Sequence, residues 1–245
     1  MDFNTQASAL AGLSRVAADA LVVVIVGDKA PAALDKAVAA ALTAAVDAGD
    51  LELKPGKTLL LHKAAKVQAA RLLLATAADG SAKAFHKAVG AAMGVLKNGG
   101  ARHGAVALAG AELGAAHAEA LALAATDALY VYRHTKPSAP AAAPVAKLTL
   151  LCDAAVRPDV EAGLARGAAI AEGQTLAREC ANRPGNHCTP SFLARARAWS
   201  SLCRMKVQTC GGRSRRTAGA GGPPNQSAGV GWWSVQPASA STNTA

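Results

Sequence analysis

Apolar residues along the first 150 positions fall into two alternating kinds of pattern. Residues 20–26 (ALVVVIV) form an unbroken β-branched run, as expected of a strand buried on both faces. Shorter runs of the same kind occupy 57–62, 71–76, 103–109 and 148–151. Between them lie stretches with a helical repeat. Leu34, Val38, Leu42 and Val46 recur every four residues; Pro31 suits the first turn of their helix and Gly49 stops it. Ser81 is placed as the N-cap of a second helix with Phe85, Val89, Ala92 and Leu96 on one face, ending at Gly99 and Gly100. A third helix is expected from Ala115 to Arg133. Strands alternating with helices predict an α/β fold of three layers, a mixed, largely parallel sheet flanked by helices, over residues 1–155.

Residues 136–145 hold Pro137, Pro140 and Pro144, which cannot continue a helix, so they read as an excursion before the last strand. A long helix is predicted from Pro158 to Ala181, within a linker segment 156–182; Asp159 and Glu161 at its start complement the helix dipole. Its Val160, Leu164, Ala168, Ala171 and Leu176 lie near one stripe, part of which is expected to face water and to drive self-association. After about Ser200 no period of 2 or 3.6 survives, and residues 201–245 are expected to be disordered.

Charge sharpens this division. Residues 1–179 carry all 16 acids and 18 of the 26 basic residues, and residues 180–245 carry eight basic residues and no acid. Trp199, Trp232 and Trp233 also fall in the last stretch. The basic tail, with Arg213, Arg215 and Arg216 clustered, is read as a weak, non-specific polyanion contact; a DNA-associated, non-enzymatic protein is the alternative reading. No run of about 20 uncharged apolar residues is present, so no membrane span is expected. The start lacks the basic and apolar regions of a secretory leader, and the five cysteines are an odd number, which together suggest a reducing cytoplasm.

The most specific string is residues 177–194, ARECANRPGNHCTPSFLA: a helix end, a Pro/Gly turn, and a new helix with Thr189 as N-cap and Pro190 in first place. Asn182, Pro184, Asn186 and Pro190, followed by Leu193 and Ala194, resemble the joint of leucyl aminopeptidases (cytosol aminopeptidases, the M17 metallopeptidases), where the linker helix meets the catalytic domain. The resemblance implies a macro-domain-like N-terminal domain, a linker helix, and the start of the catalytic domain at 183–200. It also implies a full-length cytoplasmic enzyme that removes amino acids from peptides with free N-termini, using two divalent metals, manganese or zinc, held by Asp, Glu and Lys.

The family's metal-binding strings, such as Asn-Thr-Asp-Ala-Glu-Gly-Arg, are absent from this sequence, and no carboxylate side chain follows Glu179. No catalytic, cofactor-binding or metal residue is therefore carried over, and the chain is read as truncated before the catalytic domain. The tail has the composition of an out-of-frame reading beginning near residues 195–210; an evolved segment is the other source. Cys180 and Cys188, with His187 between them, lack the close spacing of metal ligands and read as structural, while Cys203 and Cys210 have no matching pair. His62, His86, His103, His117 and His134 are scattered and read as surface or capping residues. Gly104, Gly110 and Gly114 do not form a phosphate-binding fingerprint, so the ADP-ribose binding of macro domains is not expected.

Limited trypsin digestion checks the division: residues 1–180 are expected to resist while the region after about Ser200 is cut at its arginines. Equal protection of both would show that the tail folds.

Overall fold

The computed structural model describes residues 1–136, 138–139 and 145–196. The expected disorder of 201–245, most of the Pro/Ala excursion, and the tail cysteines and tryptophans lie outside them. Six strands form one sheet: β1 (Asp2–Ala7), β2 (Ala20–Val26), β3 (Thr58–His62), β4 (Arg71–Ala77), β5 (His103–Ala109) and β6 (Lys147–Cys152). Their spatial order is β1-β6-β5-β2-β4-β3, parallel throughout except for the edge strand β3, which runs antiparallel to β4. The mixed, largely parallel sheet of the α/β reading is thus present.

Strand β2 lies near the centre because its sequence suits nowhere else: Ala20 to Ile25 are all fully buried, with parallel neighbours on both sides. Its side chains alternate between two cores. Val22 and Val24 join Leu73, Val106 and Leu108 beneath helices α2 (Ala82–Leu96) and α3 (Ala115–Leu129). Leu21, Val23 and Ile25 join Leu72 and Leu74 beneath α1 (Lys36–Asp47), through Val38 and Leu42. Helices on both faces of one sheet make the three layers.

Helix α2 begins at the predicted cap: the Ser81 hydroxyl accepts from the Ala84 amide at 3.2 Å, and Phe85, Val89, Ala92 and Leu96 are all buried. Helix α1 starts later than expected. Pro31 lies in a preceding turn, and Asp35 is the N-cap, accepting from the Ala37 amide at 2.8 Å. Its other oxygen takes the Ser14 hydroxyl at 2.7 Å, which ties α1 to a 3-10 helix over Leu10–Arg15. A carboxylate that satisfies three donors makes a stronger start signal than proline. At the far end Gly49 adopts φ +79°, the left-handed conformation that closes a helix.

The third helix stops at Leu129 rather than Arg133, and Tyr130 turns extended. The Lys97 ammonium takes the carbonyls of Ala128 and Tyr130 at 3.2 and 3.4 Å, replacing the hydrogen bonds that further helix would have supplied. Strand β1 has no counterpart among the predicted elements; its pattern DFNTQA is mostly exposed, and only the β6 ladder makes it a strand.

The long helix is α4 (Arg157–Asn182). Three of the five residues of its stripe are covered and two stay half-buried. Val160, Leu164 and Ala171 are buried, and Ala168 and Leu176 are half-buried, because α4 lies directly on α3. Ile170, 39% exposed, is the large apolar side chain that α4 leaves open. The close approach is made by Gly163 and Gly167: a Cβ on Gly163 would strike the Ala115 backbone, and one on Gly167 would lie 2.7 Å from the Glu119 carbonyl. Helix α3, AAHAEALALAATDAL, is therefore sandwiched between α2 and α4, which accounts for alanine on nearly all its sides.

Two tests follow from this packing. Gly163→Ala is expected to lower stability by about 1–3 kcal/mol through overpacking, despite alanine's helix preference of about 1 kcal/mol. Gly173→Ala on the same helix, with open space around it, is expected to raise Tm; equal effects of the two substitutions would refute the close approach. Asp35→Ala is expected to cost about 1–2 kcal/mol. Burial pushes the Asp35 carboxyl up, but the hydrogen bonds from Ser14 and Ala37 outweigh it and hold it below the usual value. Its contribution is therefore complete above that value and lost as pH falls through the folded one, so the Tm gap between wild type and variant should narrow below about pH 4.

Candidate functional site

The side chains capable of chemistry are dispersed. Among the described residues no group of three or more His, Cys, Asp or Glu is placed to hold a metal ion. His117 is a capping residue: its Nδ1 accepts from the Gly114 amide at 3.2 Å, its Nε2 lies 2.9 Å from the Gly80 carbonyl, and its ring meets Phe85 edge-on. His103 lies 2.9 Å from the Thr149 hydroxyl, and burial pulls its pKa down. His62 ends β3 and His86 lies in α2. Cys152, Cys180 and Cys188 are free thiols; burial in the core pushes the Cys152 thiol up, away from a reactive thiolate.

The clefts are equally plain. One of about 570 Å³ lies between α1 and the loop after β3, lined by alanines with Lys36, Asp50, His62 and Lys66. Another of about 590 Å³ lies between β1 and α4, where Arg157 and Glu161 are already paired at 2.8 Å. In the first, Lys36, Asp50, His62 and Lys66 share no hydrogen bond with one another among the described residues. At the ends of β2 and β5, Gly27 and Gly110 take positive φ, and a Cβ on Gly110 would meet the Val26 carbonyl at 2.5 Å. That close approach accounts for Gly110 at the start of the turn from β5 to α3.

Polar contacts do converge at the joint after α4. The chain turns at Pro184–Cys188, and Thr189 caps the helix that runs through 190–196, its hydroxyl accepting from the Phe192 amide at 3.3 Å. Just before the turn, Tyr130 donates its hydroxyl to Glu179 at 3.1 Å and accepts from Asn182 at 3.3 Å. Arg178 lies over the Tyr130 ring, 5.5 Å from its centre, and 2.8 Å from Asp127, near enough for an ion pair but out of line for a hydrogen bond. Arg183 reaches Glu179 at 3.8 Å and covers the Phe192 ring at 4.3 Å. Desolvation and the Glu179 carboxylate keep the Tyr130 phenol protonated, above its usual pKa.

Asn182, singled out in the sequence string, thus belongs to this cluster through Tyr130, while Pro184 and Asn186 lie in the turn and Pro190 opens the next helix. Tyr130, Asp127 and Lys97 were missed. They lie some 50 or more residues upstream of the string, and only the packing of α3 against α4 brings them to it. Chemically the cluster can bind and orient; it holds no group poised to transfer a proton or attack a carbonyl.

Residues 20–138 match the family described as cytosol aminopeptidase family, N-terminal domain. A protein named probable cytosol aminopeptidase from Methylibium petroleiphilum is 50% identical over 208 residues, covering 84% of this chain and 43% of its own. Another so named, from Polaromonas naphthalenivorans, is 35% identical over 224 residues, again 43% of its own length. The chain thus spans less than half the length of these relatives. Among solved structures, a tomato leucine aminopeptidase variant superposes with a TM-score of 0.64 at 21% identity, over 82% of this chain and 42% of that one. The bottromycin maturation enzyme in complex with Mn gives 0.53 at 22% identity, over 80% and 37%. At such identities the structures speak for the fold alone. With the fold, the matched domain and the relatives in agreement, the chain belongs to the cytosol aminopeptidase family, of which it carries the N-terminal domain.

Proposed function

We propose that this chain is the N-terminal domain and connecting helix of a cytoplasmic, metal-dependent leucyl aminopeptidase, which removes N-terminal amino acids from peptides, and that the chain by itself performs no hydrolysis. The observation that carries the family activity is the 50% identity over 208 residues with a cytosol aminopeptidase. The observation that separates this chain from the activity is its chemistry. A pair of divalent metals needs several carboxylates in one place to offset its charge. The described residues do not fit that demand, and after Glu179 the sequence supplies no Asp or Glu.

On this reading residues 1–155 are a scaffold, 156–182 connect it onward, and 183–200 begin what would be the catalytic domain. A cytoplasmic setting agrees with the relatives' names, and among the described residues no helix is long and apolar enough to cross a membrane.

The purified chain is expected to leave leucine p-nitroanilide intact with added manganese or zinc. Metal-dependent turnover that co-purifies with the chain would overturn the inactive reading.

A further inference from the structure

We infer that the joint after α4 is a clasp, with Tyr130 as its hub, that fixes the direction in which the chain leaves the domain. A turn containing Pro184 and Gly185 would ordinarily leave the next helix free to swing about its backbone torsions. Here it is held on both sides. On the domain side the Tyr130 hydroxyl takes Asn182 and Glu179 at 3.3 and 3.1 Å, and its ring lies under Arg178. Tyr130 is itself fixed, since Lys97 on the end of α2 binds its carbonyl and that of Ala128.

The turn and the helix after it are each attached at one point. Arg183 covers the Phe192 ring at 4.3 Å, and the His187 ring meets His134 edge-on at 5.6 Å. One attachment alone would leave a rotation about itself; two, five residues apart, remove it. The parts act in series because Glu179 is shared: it accepts from Tyr130 with one oxygen and pairs with Arg183, at 3.8 Å, through the other. The end of α3, the last turn of α4 and the following helix, as far as residue 196, are thereby linked, and the direction of that helix is set by the domain rather than by a free turn.

The two histidine rings stand perpendicular, a stacking contact rather than nitrogens converging on a shared ion. Arg183 contributes its flat guanidinium face and its charge together, which lysine does not reproduce.

Hydrogen exchange followed by mass spectrometry on the full chain tests the clasp. Arg183→Ala and Phe192→Ala are each expected to accelerate exchange of the amides at 192–196 by roughly five-fold, with the amides of β2 and β5 unchanged. The double variant should exchange no faster than either single, because both remove the same contact. Phe192→Leu, which keeps apolar bulk without the ring face, should match Phe192→Ala, and Tyr130→Phe, which keeps the ring without the hydroxyl, should accelerate the same amides. Unchanged exchange in the single variants, a double variant that multiplies their effects, or Phe192→Leu behaving as wild type would each overturn the proposal.

Discussion

The contact on which the rest depends is the approach of α4 to α3 at Gly163 and Gly167, where the two backbones come close enough to exclude a Cβ. Helix–helix distance is set by the side chains between the axes, and glycine reduces it to the minimum. This draws Val160 and Leu164 into the sheet core, gives α3 a second covered side, and brings the last turn of α4 beside Tyr130. A larger residue at either glycine would push α4 outward and separate every contact at the joint by the same movement.

The alanine-rich composition has the same origin. Ala118, Ala122 and Ala125 can face α2 or α4 because each presents little more than a methyl group. With few large rings, the core obtains its burial from close spacing rather than from bulk, and dense interiors are sensitive to added volume. The polar groups that do lie inside are structural: Asp35 caps α1, and the Thr76 hydroxyl is bonded to the Lys54 and Lys57 carbonyls.

The elements best legible in the sequence were those whose evidence is local. The run ALVVVIV, the Ser81 cap and the apolar stripe of α2 each determine their own structure within a few positions, and each lies where the sequence places it. The errors lie where a distant residue decides. Whether α1 begins near Pro31 or at Asp35 is settled by Ser14, 21 positions away. Where α3 ends is settled by Lys97. Strand β1 exists because β6, about 145 positions later, supplies its hydrogen-bonding partner. The stripe of α4 is legible as a face, but which part of it is covered is not, because a helical repeat states which residues share a face and not what covers that face.

The sequence by itself determined the fold class, the strands and helices from β2 onward, the family, and the lack of carboxylates after Glu179, since each of these is written in residue identity and short-range periodicity. It also marked the joint, through Asn182, Pro184, Asn186 and Pro190, as a point where the chain turns. Only the tertiary structure decided that Gly163 and Gly167 are contact surfaces rather than weak points of a helix, and that Tyr130, Glu179 and Arg183 form one set of contacts. The reason is physical: a glycine's missing Cβ and a tyrosine's hydroxyl acquire meaning from the atoms opposite them, and chain folding brings those atoms together from positions that no local pattern connects.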